Sequence, residues 1–328
     1  MTFFAEAAVL LGAAIIAVPL FQRLGLGSIL GYLAVGLLLG PSLIGFISEP
    51  EEVLHFSEFG VVMLLFIIGL ELEPSRLWGM RKRLFGLGLL QLCGCGVLLT
   101  PIGLALGLRW ELAVLLGLIL ALSSTAFALQ VLNEQRRLAT PHGQTAFAIL
   151  LFQDLAVIPL LALLPLFAGG MSAQGGDMWL DIGKGVGMVL AAIVFGRLVF
   201  PRVLALIARS GVHEVFTAAA LFLVLTLALV MDWAGLSMAL GAFLGGVMLA
   251  DTIYRHELEA NIEPFKGILL GLFFMAVGMS VNLALVFDNV LWVLGITLVL
   301  LAAKLVIIAL VGMAARLPRQ EIPRLATV

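Results

Sequence analysis

SILGYLAVGLLLG (28–40) and MALGAFLGGVMLA (238–250) align without a gap, with Gly31 over Gly241 and Gly36 over Gly246. The apolar stretch after each copy repeats the likeness. LLFIIGLELEP (64–74) and LFFMAVGMSVN (272–282) place Gly69 over Gly278. The offset is 210 residues in the first pair and 209 in the second. The chain therefore reads as two related halves.

Composition identifies the solvent these segments meet. Of 328 residues, 62% are hydrophobic and 12% charged, and the mean hydropathy is +1.20. A soluble domain cannot cover its surface with so few charges. Apolar runs of about 18 residues or more recur from end to end, long enough to cross a hydrocarbon core of roughly 30 Å. Their period is that of long helices, not of the roughly 10-residue alternating strands of an outer-membrane barrel. The 36 glycines and 12 prolines fit, since membrane helices tolerate both. The expected class is an all-α membrane protein. MTFFAEAAVLLGAAIIAVPL (1–20) has no basic start and no small-residue cleavage site, and reads as a retained first helix. Cys93 and Cys95 lie two apart in one apolar helix, face different sides and read as packing residues.

Eleven spans are expected, at 5–22, 28–46, 57–73, 84–107, 111–132, 143–168, 181–200, 213–231, 236–251, 265–281 and 289–313. One long polar connection, DTIYRHELEANIEPFKG, fills 251–267. On the side reached after the first span lie fifteen Lys and Arg residues, against two, Arg109 and Lys184, on the other. Positive residues stay inside, so the N-terminus is expected outside and the C-terminus in the cytoplasm. Spans 2 and 9 then enter from opposite sides, which makes the repeat inverted. Secondary transporters are built this way, with the site at mid-membrane between the repeats. Under the same offset, spans 5 and 6 call for partners near 320–341 and 352–377, beyond Val328. The expectation is a C-terminally incomplete membrane domain, 1–328.

In a bilayer the rare polar residues carry the information. AILLFQDLAVIPLLALLPLF (148–167) holds one acid, Asp154, near mid-span. A carboxylate there costs several kcal/mol and usually marks an ion or proton path. A carrier needs burial and neighbouring charge in near balance, so that such a group can titrate. A structural ion pair or a helix-capping acid is the other reading. Gln153 beside it adds an amide without a second charge, giving a site for one monovalent cation or one proton; a helix–helix hydrogen bond fits it as well. Lys304 is the one basic residue deep in a span, read as a counter-charge to Asp154 in some state or as a structural tether. Under the offset its first-half counterpart is Cys95. Ser123, Ser124 and Thr125 in span 5 are hydroxyls able to satisfy backbone groups where a membrane helix unwinds, or small residues at a tight crossing. HELEANIEPFKG (256–267) reads as a cytoplasmic amphipathic helix. No P-loop, dinucleotide fingerprint, His-Cys metal spacing or nucleophile elbow occurs, so nothing argues for an enzyme.

Several phrases, ALSSTAFALQ, AFAILLFQDLAVIPLLAL, LSMALGAFLGGVMLA and EANIEPFKGILLGLFFMAVGMS among them, resemble the Kef-type glutathione-regulated potassium-efflux antiporters of the monovalent cation:proton antiporter superfamily. The likeness covers nearly the whole chain. It implies a sodium/proton-antiporter-like helical bundle with about 11 of thirteen spans present here. It implies a dimerisation domain, hence a homodimer, and a mobile core domain with two crossed broken helices. Asp154 becomes the acid that binds cation and proton, with Gln153 beside it. Ser123, Ser124 and Thr125 fall at the first broken helix, and Lys304 matches the family's lysine in the eleventh span. His256, Glu257, Glu259, Asn261 and Glu263 correspond to a cytoplasmic loop through which a regulatory domain holds the transporter closed. That nucleotide-binding domain, which senses glutathione, is not in these 328 residues, so no cofactor is expected in this chain.

The expected function is secondary transport in a bacterial inner membrane, exchanging potassium or another monovalent cation for protons by alternating access. The expected partners are potassium, the proton, the bilayer and a regulatory domain or ancillary cytosolic protein. No nucleic acid is expected, and no metal site beyond that for the transported ion. The alternatives are a ligand-gated potassium channel and a transport-inactive fragment that only dimerises. An organic-anion symporter would need more basic or polar groups around the broken helices.

Overall fold

A computed structural model describes residues 3–47, 50–71, 79–167, 187, 194, 196–209, 212–233, 237–318 and 320–326. No strand occurs among the described residues. The chain forms two compact units. The first comprises Met1–Glu73, Ala192–Asp232 and Met238–Val290; the second comprises Pro74–Ala191, Trp233–Ser237 and Leu291–Val328.

The first unit holds α1 (Phe3–Arg23), α2 (Ser28–Leu39) and α3 (Pro50–Glu71). In the second unit are α4 (Arg81–Ala105), α5 (Trp110–Ala121), α6 (Thr125–Glu134) and α7 (Pro141–Phe167). Residues 196–208 are helical, and α8 (His213–Trp233), α9 (Met238–Leu249), α10 (Arg255–Met279) and α11 (Leu283–Asp288) continue the first unit. The second resumes with α12 (Val290–Ala314) and α13 (Glu321–Ala326).

Among the described residues, seven stretches are long and apolar enough to cross a membrane: 5–23, 50–71, 81–105, 110–134, 214–233, 255–279 and 290–314. The expected spans at 28–46 and 236–251 contain shorter apolar helices, α2 and α9, of 12 residues each. The expected sixth span is the 27-residue α7, and the seventh, 181–200, lies mostly outside the described residues. Large apolar side chains face outward along these helices, among them Ile16, Val97 and Leu291. Lipid tails are as apolar as they are, so outward placement costs nothing and helix contacts depend on close fit.

That fit reproduces the sequence repeat within the first unit. α1 and α8 are both 21 residues long and 210 apart, as are α2 and α9 at 12 residues. α2 lies against α10, and α9 lies against α3. A Cβ on Gly36 would stand 1.9 Å from the Met275 carbonyl oxygen, and one on Gly246 would stand 2.1 Å from that of Phe66. Gly69 and Gly278 show the same reciprocity, each 2.3 Å from a carbonyl oxygen, of Phe243 and Leu33 respectively. Every residue in these contacts is exchanged for its repeat counterpart. Gly60, whose counterpart is Leu269, meets the Leu269–Leu270 backbone, so the local two-fold axis passes there. Only glycine lets backbones approach so closely, which is why the repeat survives as glycine spacing.

In the second unit α4 and α12 are both 25 residues and 209 apart. Their core joins Leu92, Cys95 and Leu99 to Ala121, Ile149, Ile307 and Val311. Cys93 and Cys95 are free thiols, one exposed and one buried.

The helix expected at 256–267, within the polar connection 251–267, is present and continuous with the tenth span. α10 starts at Arg255 and runs without interruption through Pro264 to Met279. Leu258, Ile262 and Lys266 recur every four residues and are buried, and the first two join the core that α3 supplies. This stripe holds the helix together where Pro264 removes one hydrogen bond.

Candidate functional site

Span 5 is broken. α5 ends at Ala121, Leu122 is extended (φ −63°, ψ 150°), and α6 begins at Thr125 with Ser124 as its cap. The Ser124 hydroxyl accepts the Phe127 N–H at 3.3 Å. Serine and threonine favour such a break because their side chains offer the backbone local partners in place of the helical ones.

A break in an apolar medium leaves backbone groups that something must satisfy. Here side chains from three other helices do so. The Ser123 N–H donates to Gln153 Oε1 at 2.9 Å. The Ala121 carbonyl accepts Gln91 Nε2 at 3.1 Å. The Leu122 carbonyl accepts Lys304 Nζ, which also reaches Ser123 Oγ at 3.2 Å. Gln153 Nε2 donates to Gln91 Oε1 at 2.7 Å, joining the two amides. Gln91 is fully buried and Gln153 nearly so. Beside them lies a cavity of about 40 Å³ lined in part by Gln91, Ser123, Gln153, Ile149 and Ile308.

Asp154, half-buried on α7, meets the other side of the break, where Thr125 Oγ1 donates to Asp154 Oδ1 at 3.1 Å. The charges are sorted by helix polarity. The ammonium of Lys304 sits at the carbonyl end of α5, and the carboxylate of Asp154 sits at the amide end of α6. Each is the charge that end favours. Among the described residues Asp154 and Lys304 form no ion pair. Lys304, expected as a counter-charge to Asp154 in some state or as a structural tether, is bonded here to a carbonyl.

The structure brings Gln153, Asp154, Ser123, Thr125 and Lys304 to one break, with Ser124 as the cap. The remaining residues singled out belong to the first unit. His256, Glu257 and Glu263 are exposed on α10, Glu259 is half-buried, and Asn261 is buried. Glu263 Oε1 accepts Lys266 Nζ at 2.7 Å. Two features escaped the sequence. Gln91 carries no charge and so does not stand out, although it is one of few amides in a span. The contact of buried His142 with Glu321 joins residues 179 apart in the chain, which no spacing could reveal.

Comparison with known proteins adds the family. Residues 9–327 match the family described as sodium/hydrogen exchanger, transmembrane. The chain belongs to that family. It is a family of transporters, not of enzymes. This exchanger-family chain is 49% identical over 317 residues, 96% of its length, to the glutathione-regulated potassium-efflux system protein KefC of Cronobacter sakazakii. With KefC of Escherichia coli the identity is 47% over the same extent. The chain spans about half (51%) of the length of these curated relatives. Its fold is similar to that of the sodium proton antiporter MjNhaP1 from Methanocaldococcus jannaschii, with a TM-score of 0.66. That match covers 98% of this chain and 81% of the other at 18% identity.

Proposed function

We propose that the chain is the membrane part of a potassium/proton antiporter in which Asp154 is the site where cation and proton exclude one another. The observation that carries this reading is a lone acid facing the break in a transmembrane helix, held by Thr125 Oγ1. Chemically, the ionised carboxylate offers a monovalent cation two oxygens and shares the hydroxyl oxygen of Thr125. The protonated carboxyl offers a neutral donor instead. Either occupant leaves the acid neutralised, and Gln153 adds no second charge. The empty, ionised site is the costly one to carry through an occluded state, because desolvating an uncompensated charge costs several kcal/mol. Reorientation therefore occurs with the site filled, and one ion is exchanged for the other without net charge movement.

The potassium preference rests on the KefC relatives, whose name states potassium efflux, and on the share of this chain that resembles them. We further propose alternating access in a bacterial inner membrane, with the N-terminus outside and the C-terminus in the cytoplasm. The same reading gives a homodimer whose α10 opening turns answer to a regulatory domain.

The test is exchange in proteoliposomes loaded with a pH-sensitive dye. An imposed proton gradient should collapse on addition of K⁺. Asp154→Asn should slow that collapse by about a hundredfold or more, since the exchanging group is removed. Undiminished K⁺-dependent proton movement in Asp154→Asn would refute the assignment.

A further inference from the structure

Gln91 lies at the centre of the amide contacts yet touches no part of Asp154. It is fully buried on α4 and uses both ends of its amide. Its Nε2 donates to the Ala121 carbonyl at 3.1 Å and leans toward Cys95 Sγ at 3.5 Å. Its Oε1 accepts Gln153 Nε2 at 2.7 Å. The Ala121 carbonyl is the acceptor that a continuous helix would give to the Thr125 N–H, four residues on. Gln153 Nε2 donates to Gln91 and, more weakly at 3.5 Å, to the Ala121 carbonyl, so Gln153 Oε1 is turned to the Ser123 N–H.

We infer that Gln91 is a positioning residue that keeps span 5 broken and turns the Gln153 amide away from the exchange site, so that Asp154 and Thr125 carry the exchanging ion without it. The inference rests on the reading of Asp154 as the exchange group. It also departs from treating Gln153 as a cation ligand. One amide of Gln153 cannot both hold the Ser123 N–H in this orientation and wrap an ion on the Asp154 side. The pair is worth more than its hydrogen bonds taken singly, because each lost partner leaves a buried polar group unmet.

The test compares Gln91→Leu, Gln91→Glu and the unaltered chain, purified in detergent, by two readouts. The first is amide hydrogen exchange in a peptide covering 119–127. The second is the K⁺ concentration that half-maximally raises the melting temperature. Gln91→Leu is expected to speed exchange in that peptide about tenfold and to weaken the K⁺ midpoint about tenfold, with peptides from the first unit unchanged.

Gln91→Glu separates a hydrogen-bonding role from mere filling of space, since the two side chains have the same shape. At pH 8 the introduced carboxylate cannot donate to the Ala121 carbonyl, and the variant should behave like Gln91→Leu. At pH 5 the introduced acid regains a donor, and protection relative to the unaltered chain at the same pH should return. Its own helix carries Arg81, Lys82, Arg83, Cys93 and Cys95, and the helices packed on it carry Glu111, His142, Asp154 and Lys304. All are present in every variant, so the comparison at equal pH cancels them. Parental exchange and a parental K⁺ midpoint in Gln91→Leu would overturn the inference, as would a Gln91→Glu variant that behaves like Gln91→Leu at both pH values. If Asp154→Asn keeps its K⁺ response, the functional reading fails instead, and the exchange data still judge Gln91.

Discussion

The two compact units hold their helices together in different ways. In the first, helices meet through glycine, backbone against backbone, and each contact is repeated by its counterpart. Gly36 on Met275 is matched by Gly246 on Phe66. In the second, glycine packing such as Gly117 on the Gly96 carbonyl is joined by polar contacts around the break. The Gln91–Gln153 pair, the Lys304 ammonium on the Leu122 carbonyl and the Thr125–Asp154 bond gather side chains around a broken helix. Under the offset Lys304 falls on Cys95 and Gln91 on Leu300. Glycine spacing builds the first unit; single polar residues supply the chemistry of the second.

The comparison is broken most severely at the glycines. Gly36→Ala and Gly246→Ala should each destabilise the protein by about 3 kcal/mol, since a Cβ there collides with a carbonyl that cannot move alone. If the two-fold relation is real, the two losses should agree to within about 0.5 kcal/mol, whereas Gly12→Ala, where nothing lies within 4 Å, should stay near the unaltered value. Melting temperatures in detergent check all three. Unequal losses at Gly36 and Gly246 would sever the sequence repeat from the packing.

A smaller effect is expected at Lys304. Lys304→Met strips the Leu122 carbonyl of its partner and should destabilise by about 2 kcal/mol, the cost of a buried acceptor left unmet. The loss should persist when Asp154→Asn is already present. Were the lysine's partner Asp154 and not the break, the double variant would recover stability, and a double-mutant cycle on melting temperature distinguishes the two.

The smallest effect concerns the contact between α7 and α13. The hydrogen bond from His142 to Glu321 holds the Glu321 carboxyl below its ordinary value of 4.5, with Arg324 adding to it. A lowered carboxyl contributes stability above the unfolded value and loses it as pH falls through the folded one. Glu321→Gln should therefore melt slightly lower than the unaltered chain at pH 7. The gap should close as the pH is taken below that ordinary value. A gap that widens in acid would reverse the sign of this linkage.

Much of this was legible in the sequence, for identifiable reasons. The repeat could be read because close backbone approach demands glycine at fixed spacing. Asp154 stood out because a bilayer makes any acid conspicuous. The break at 122–124 was signalled by three hydroxyl residues in a row. What escaped depends on which partner the fold selects. An amide in an apolar helix, as at Gln91, looks like any helix–helix hydrogen bond until its acceptor is seen. Lys304 invited pairing with the one acid in reach, yet a broken helix offers carbonyls that compete for an ammonium. The phrase 256–267 could be read as an amphipathic helix despite Pro264, though not as the opening turns of the tenth span. Its apolar residues recur every four positions, and that spacing decided the matter.

The most direct test of the central claim needs no membrane. Protein purified in weakly buffered detergent solution at neutral pH should release protons when K⁺ is added, because the cation and the proton share the carboxylate of Asp154. The account predicts a saturable acidification that is absent from Asp154→Asn. Saturable K⁺ binding with no proton released, or release that survives in Asp154→Asn, would contradict it.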